Sequence, residues 1–458
     1  MNPTNSGNFA ARGPLAILAG SVLTLLAVLA TNAAPTTPGQ KPNAPTYGVR
    51  LSDTTRVPIR GEYVPPPQSG PVSLTTELSP NDLSTPLLPH GAENDMVEPP
   101  PPVDTKKRWT LTLEARAIYD DNIFLSRPGR EESDFVFLLS PTLTYRRGDT
   151  MARRDSYILA SANAAGSVFT DHGEENSVDY SLRFDAQKRL GKLAIGVDGK
   201  YQRLSGATVE LSDRVDRDEA GARVRLLYDL SGRTNIEASA GWNTVSYRER
   251  ALEDYDEWVA ETFVGYQVTG RTRIAGGGAV GSMDVEGRER QDFTRALIKV
   301  TTEASGKLTL DAKGGMEWRD TAAGSQTTPV FNVLAEYRPT GRTSIGGSVF
   351  REVTASGSVE GENVTRTGAS IRVQQKLGRS LTAGVEAGYE QLQYDATEGG
   401  TADSGREDAY FFVRPSLRYE LREGRRFELY YSHREDNSSV NLYDFDADQI
   451  GLAFACDF

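Results

Sequence analysis

The stretch Gln449-Ile450-Gly451-Leu452-Ala453-Phe454-Ala455-Cys456-Asp457-Phe458 ends the chain and decides its fold. Alternate positions form two sets: Ile450, Leu452, Phe454, Cys456 and Phe458 in one, Gly451, Ala453, Ala455 and Asp457 in the other. A strand with one apolar face and one small or polar face borders two different media. In a soluble β-sandwich the apolar face would meet a core, whereas in an outer-membrane barrel it meets lipid and the polar face meets a watery lumen. The preceding chain decides between the two.

Short turns that combine glycine with a basic residue recur from Trp109 onward. They are Gly191-Lys192, Ser231-Gly232-Arg233, Gly270-Arg271, Ser305-Gly306-Lys307, Thr340-Gly341-Arg342, Gly378-Arg379 and Glu423-Gly424-Arg425, preceded by a looser turn at Arg147-Gly148-Asp149. We expect glycine to supply the positive φ that a tight hairpin needs. Eight turns between two termini on the same side give nine hairpins and therefore 18 strands, an even number as bacterial barrels require.

Longer polar connections separate these turns. They span residues 120–133, 205–216, 248–256, 321–328, 356–362 and 395–407. Short turns at one rim and long loops at the other are typical of outer-membrane barrels, with the long loops outside the cell. A propeller also repeats near this length, but its blades hold four strands in that span, whereas each period here holds two.

Tyrosine recurs at one height of the predicted barrel. Its apolar-face positions, three to five residues before a turn glycine, are Tyr145, Tyr228, Tyr266, Tyr337 and Tyr419. The apolar ring and polar hydroxyl favour a lipid–water interface. This pattern predicts an aromatic belt at the periplasmic rim and favours a membrane barrel over a sandwich.

The N-terminal part of the chain differs in composition. Arg12, the apolar run 15–30 and the small residues at 31–33 predict a signal peptide over residues 1–33. Residues 34–107 hold 16 of the 23 prolines, and such a segment is expected to be disordered. We interpret it as a periplasmic spacer. The barrel is expected over residues 108–458.

The predicted lumen carries charges of both signs. The residues expected to line it include Arg183, Arg223, Arg225, Arg372, Arg414, Arg418, Glu386 and Glu390. A polar pore with fixed charges would select its solute. Alternatively, the charges hold together a wall that any water-filled barrel would have, and loops plug the lumen of a structural or surface-display barrel.

Other function classes have little support in the sequence. The three histidines are His90, His172 and His433, and none has an evident Ser or Asp partner for catalysis. We expect no enzyme activity, no cofactor and no metal site. A sequence pI of about 5.0 argues against a nucleic-acid partner.

Two stretches resemble a known family. Tyr119-Asp120-Asp121-Asn122-Ile123-Phe124, followed by Ser140-Pro141, and the end from Asn441-Leu442-Tyr443-Asp444 to Phe458 are similar to outer-membrane β-barrel porins of the second type. The resemblance covers about residues 109–458 and carries no catalytic residue. It implies an outer-membrane barrel, with some relatives associated with exopolysaccharide production and export. From the residues themselves, we expect Asp120 and Asn122 to shape the turn after the first strand through side-chain-to-backbone hydrogen bonds.

The sequence thus predicts an all-β, antiparallel transmembrane barrel of about 18 strands that acts as a porin-like channel for hydrophilic solutes. The expected partners are outer-membrane lipid, the barrel-assembly machinery, and small hydrophilic solutes or polysaccharide. The terminal Phe458, with Phe454 and Gly451 on the same strand, looks like the signal that the assembly machinery reads.

Overall fold

The computed structural model describes residues 108–148, 156–210, 213–248, 252–321, 324–356, 363–394, 405–422 and 424–458. The predicted signal peptide (1–33) and proline-rich segment (34–107) lie outside these ranges. Within the described ranges, no helix is long and apolar enough to cross a membrane.

The described chain folds into 18 β-strands and one turn of 3₁₀ helix, Gly173–Glu175. The strands are β1 (Trp109–Asp120), β2 (Asp134–Gly148), β3 (Tyr157–Phe169), β4 (Ser177–Leu190), β5 (Leu193–Thr208), β6 (Asp213–Asp229), β7 (Thr234–Tyr247), β8 (Tyr255–Gln267), β9 (Thr272–Val285), β10 (Gln291–Ser305), β11 (Leu308–Thr321), β12 (Gly324–Thr340), β13 (Thr343–Ala355), β14 (Asn363–Lys376), β15 (Leu381–Tyr394), β16 (Glu407–Arg422), β17 (Arg425–Ser438) and β18 (Phe445–Asp457).

Each strand pairs antiparallel with its sequence neighbour, and β1 also pairs with β18, so the sheet closes on itself. At this seam the register runs from Thr112 opposite Asp457 to Asp120 opposite Gln449. Closure leaves no strand edge unpaired, as a sheet in lipid requires. The predicted closed barrel of 18 strands is therefore confirmed.

The alternation predicted for the last strand is present in the structure. Ile450 and Leu452 are 54% and 51% exposed on the outer surface, whereas Gly451, Ala453 and Ala455 are buried on the inner side. The strands span 12 to 17 residues, and about 9–11 tilted residues are enough to cross the hydrocarbon layer.

The glycine turns connect successive hairpins as predicted, but the expected positive φ is wrong for five of them. Only Gly148, Gly191 and Gly424 among the eight turn glycines have φ near +60° to +80°. In several of the others, a serine or threonine hydroxyl oxygen accepts hydrogen bonds from the backbone N–H groups two and three residues later in the chain. Ser231 Oγ accepts from Thr234 at 3.0 Å, and Thr269 Oγ1 accepts from Thr272 at 3.0 Å. These side-chain bonds close the turn without a left-handed residue.

Two of the predicted long connections are wrong. Residues 205–208 and 213–216 continue the β5–β6 ladder, in which Ser205 pairs with Asp216. Residues 324–328 belong to β12 and pair with residues 317–321 of β11. Polar composition suggested loops there, but the ladders bond backbone to backbone and so continue through polar side chains.

The turn after β1 forms as the sequence predicts. The backbone N–H of Asn122 donates to Asp120 Oδ1 at 3.0 Å, and the Asn122 side chain exchanges two hydrogen bonds of 2.8 Å with the backbone of Ser126. These contacts confirm the expected side-chain-to-backbone bonds.

Candidate functional site

The interior wall of the barrel carries paired charges. Arg372 Nη2 lies 2.8 Å from Glu386 Oε2, and Arg366 Nε lies 2.7 Å from Glu390 Oε1. Arg414 and Arg418 on β16 both reach Glu428 on β17, at 3.2 and 2.7 Å. These pairs tie neighbouring strands together on the side opposite the apolar outer surface.

A second group of predicted lumen residues lies on β4 to β6. Arg223 and Arg225 both contact Asp198 of β5, at 3.2 and 2.9 Å, and Arg225 also pairs with Asp185 of β4. Arg183 is half-buried on β4, opposite Lys200 of β5. The lumen role of these arginines remains a prediction, which their place among interior carboxylates supports.

Some interior pairs join strands that are not neighbours. Lys313 Nζ on β11 donates to Glu261 Oε1 on β8 at 3.0 Å, and both side chains are buried. Asn363 on β14 donates to Gln291 on β10 at 2.8 Å. Side chains that span three or four strands narrow the interior, and sequence reasoning did not find them.

Two hairpins meet across the interior near the long-loop rim. Residues 206–210 of the β5–β6 hairpin and residues 363–366 of the β13–β14 hairpin are buried on both alternating faces, unlike strand segments that face lipid on one side. Ser356, just after β13, donates to Glu210 Oε1 at 2.6 Å. Because β5 and β13 are eight strands apart in a ring of 18, this contact, here termed the hairpin bridge, crosses the lumen.

An apolar cluster packs beside the hairpin bridge. Its members come from the β1–β2 connection, the end of β5 and strands β14 to β18: Leu125, Ala207, Val209, Val364, Leu392, Tyr394, Tyr410, Phe412, Phe445 and Ala447. Val209 and Tyr410 are 3% and 1% exposed. The cluster holds the β5–β6 tip against the opposite wall by burial of apolar surface.

Inward-facing side chains are buried near the loop end of the barrel and partly exposed near the turn end. On β16, Asp408, Tyr410 and Phe412 near the loop end are buried, whereas Arg414 and Arg418 toward the turn are partly exposed. Strand β1 shows the same gradient along its inward positions. The constriction therefore lies in the half of the barrel that carries the long connections.

Two histidines do have carboxylate partners, contrary to the expectation from sequence. His433 Nδ1 lies 3.0 Å from Asp448 Oδ1 and 3.6 Å from Asp446 Oδ1 on the outer surface, and one donor atom of each residue lies within 4.8 Å of the others. This is the arrangement among the described residues that could hold a metal ion. The partners were missed because they lie on the paired strand β18 rather than nearby in sequence.

His172, in the connection between β3 and β4, contacts the start of β2 and the connection that precedes it. Its Nδ1 lies 3.0 Å from Asp134 Oδ2 and its Nε2 lies 2.9 Å from Glu132 Oε2. Hydrogen bonds to Asp134 and then Glu132 raise the pKa of His172 above 6.5. The contact, here termed the loop clamp, holds the connection between β3 and β4 against the start of β2.

The predicted tyrosine belt lies at the turn-side rim. Tyr228, Tyr266, Tyr337 and Tyr419 are each 42–49% exposed, and each stands opposite the first residue of a paired strand. Tyr145 is half-buried because its ring packs 4.6 Å from the ring of Trp109. Their common height fits an interface position, which remains a prediction.

The residues of the predicted assembly signal lie at the β1–β18 seam. Phe458 N–H donates to the Leu111 carbonyl at 2.8 Å, and the Phe454 ring lies 4.8 Å from that of Phe427. Gly451 lies beneath the Tyr430 ring, which a Cβ at this position would overlap. Recognition by the assembly machinery stays a prediction.

Sequence reasoning also missed Glu210, Ser356 and the apolar cluster. One signal was present: Leu204, Ala207 and Val209 do not keep a period of two at the end of β5, which indicates a segment covered on both faces. The sequence around Ser356, the partner of Glu210 across the lumen, gave no such signal.

Part of the sequence matches a known family, and the chain is similar to solved outer-membrane proteins. No protein of curated function matches the sequence. Among solved structures, the chain is similar to OpdK of Pseudomonas aeruginosa, crystallised with vanillate (14% identity, 76% of this chain and 99% of that chain, TM-score 0.41). It is likewise similar to OccAB4 of Acinetobacter baumannii (14% identity, 76% and 98% coverage, TM-score 0.41). Residues 283–458 match the model of the family described as putative beta-barrel porin 2, and the described chain is a closed antiparallel β-barrel of 18 strands.

Proposed function

We propose that this barrel is a channel for small hydrophilic solutes, narrowed on its loop side by the hairpin bridge. The observation that carries the proposal is the charged interior wall, in which Arg372–Glu386 and Arg418–Glu428 pairs line the partly exposed turn-side half. A wall of fixed charges keeps a lumen hydrated and discriminates among solutes by charge. The narrow loop-side half favours solutes of limited size.

The proposed orientation follows the usual asymmetry of such barrels. The short turns and the N-terminal segment would face the periplasm, and the long connections would face the outside of the cell. The partners are then outer-membrane lipid around the apolar surface and the assembly machinery at the terminal strand. Catalysis and nucleic-acid binding form no part of the proposal.

The hairpin bridge favours a second candidate, a structural or surface-display barrel with a plugged lumen. Glu210 and Ser356 join opposite walls, and Tyr410 fills the space beside them. Export of exopolysaccharide, as a specialised version of the channel, would require a polymer to displace these same residues. The bridge would then have to open during export.

Planar-bilayer recording of the full-length protein separates these candidates. A channel narrowed by the bridge gives small, steady unitary current steps. A permanently plugged barrel gives no steps at any applied voltage, and that result would overturn the proposed channel. Folding of the same preparation is checked by its heat-dependent mobility in gel electrophoresis.

A further inference from the structure

A histidine and two aspartates converge on the outer surface of the barrel, toward the loop end of β17 and β18. His433 Nδ1 lies 3.0 Å from Asp448 Oδ1 and 3.6 Å from Asp446 Oδ1, and one donor atom of each residue lies within 4.8 Å of the other two. Zn²⁺ binds histidine nitrogen and carboxylate oxygen at about 2.0–2.2 Å in tetrahedral geometry, which separates its ligand atoms by about 3.3–3.6 Å. The three donor atoms therefore need only small side-chain movements to bind one such ion.

The cluster lies where the apolar band of the outer surface ends. On β18 the outward side chains of Asp446 and Asp448 are followed by Ile450, which is 54% exposed. Ile450 stands opposite Tyr431 of β17 and Tyr119 of β1, so a row of aromatic and apolar side chains marks the edge of the band. The two aspartate side chains lie on the loop side of this row and are 61% and 44% exposed, which leaves them open to an ion from water.

The backbone holds both aspartates in place before an ion binds. Asp448 stands opposite His433 in the β17–β18 ladder. Its backbone N–H donates to Asp121 Oδ1 at 2.7 Å, and its carbonyl accepts from the Asp121 N–H at 3.1 Å. The carbonyl of Asp446 accepts from the Asn122 side chain at 2.9 Å. Ligands on paired strands lose little conformational freedom when they bind an ion.

Negative charge exceeds positive charge around the cluster. Among the described residues, the ion pairs of Asp446 and Asp448 are with His433 alone. Asp121 adds a third carboxylate, which repels both of the others. A divalent cation at this position would offset that repulsion.

We propose that His433, Asp446 and Asp448 form a binding site for one Zn²⁺ ion on the outer surface of the barrel. The ion would take the place of the proton between His433 Nδ1 and Asp448 Oδ1. The Tyr431 hydroxyl, which donates to Asp448 Oδ1 at 2.6 Å, would orient that carboxylate. An imidazole ligand favours Zn²⁺ over Mg²⁺ and Ca²⁺, which prefer oxygen. The site lies outside the lumen and is independent of the proposed channel.

Calorimetric titration of the detergent-solubilised full-length barrel, prepared without a histidine tag, with Zn²⁺ tests the site. We expect saturable binding to the wild type and an affinity lowered by at least about tenfold in His433→Gln, since even outer-shell partners of a metal ligand cost this much. His172→Gln is the matched control, because the ring nitrogens of His172 face two different carboxylates, Asp134 and Glu132, and its contacts do not converge on one point. It should bind Zn²⁺ as the wild type does.

Asp446→Asn is a second variant, which replaces His433→Gln if that protein does not fold. It keeps the backbone hydrogen bond to Asn122 and removes one ligand from an exposed position. Absence of saturable Zn²⁺ binding to the folded wild type, or affinity equal to the wild type in the folded variant, overturns the site. Displacement of Zn²⁺ by an equal concentration of Mg²⁺ would overturn the choice of ion and with it the role of His433.

A second measurement uses the stability of the folded barrel. An ion that binds only the folded state stabilises it, so Zn²⁺ should raise the temperature at which the unboiled gel band disappears in the wild type and in His172→Gln. The same shift should be absent in His433→Gln and Asp446→Asn. An equal shift in all four proteins would place the bound ion elsewhere and overturn the site.

Discussion

Replacement of Ser356 by Ala removes the hydroxyl that donates to Glu210 across the lumen at 2.6 Å. A hydrogen bond to a charged group contributes about 1.5–3 kcal/mol. That free energy corresponds to a change of about 10- to 150-fold in the ratio of bridged to unbridged barrels. We therefore expect the open probability of Ser356→Ala in planar bilayers to exceed that of the wild type by about tenfold or more, up to saturation.

The control for this experiment removes a hydroxyl that does not cross the lumen. Ser370 on β14 shares a 2.7 Å hydrogen bond with Ser348 on the adjacent strand β13. Ser370→Ala keeps the hairpin bridge, so its open probability should match the wild type. Equal open probability in all three proteins would refute the role of the bridge as the constriction.

Three further predictions concern pH, assembly and the lipid-facing surface. Because the pKa of His172 is raised in the folded state, protonated His172 stabilises the loop clamp fully below pH 6.5, and this stabilisation is lost as pH rises through the raised pKa. Limited proteolysis of the loops should therefore accelerate with pH in the wild type. The same pH dependence in His172→Gln would count against the clamp. Gly451→Ala should lower the free energy of unfolding by about 1–3 kcal/mol through overpacking against Tyr430, and so reduce the heat-modifiable fraction on gels. If adding Tyr430→Ala to this variant restores none of that fraction, overpacking is excluded as the cause. Leu452→Arg, on the outer surface, should lower stability in urea titrations by about 2–4 kcal/mol, whereas the inward-facing Ala453→Ser should have little effect, and equal losses would contradict the assigned faces.

The strand number and pairing could be predicted because they depend on local signals. The alternation in β18 and the spacing of the turns each require only the sequence within one hairpin. The same local reasoning predicted the side-chain-to-backbone hydrogen bonds of Asp120 and Asn122 in the turn after β1. It failed for the glycine conformation in the turns, because a tight turn can be closed in two ways. Hydroxyl groups such as those of Ser231 and Thr269 close turns in which glycine does not have positive φ.

The contacts across the lumen could not be predicted because they join residues that are remote in sequence. Glu210 and Ser356 are separated by 146 residues, and Asn363 and Gln291 by 72. Alternation assigns a residue to the inner face but does not say which opposite side chain it meets. Charged residues could therefore be assigned to the inner face as a group, which remains a prediction, whereas the partner of each one required the structure.

Gel electrophoresis of the mature protein, extracted with detergent from outer membranes and loaded with or without boiling, tests whether apolar side chains face lipid and polar ones face the lumen. A closed barrel resists detergent, so we expect the unboiled sample to migrate differently from the boiled one. A protein that stays soluble and monomeric without detergent, and migrates identically in both samples, would contradict the transmembrane barrel and the channel built on it.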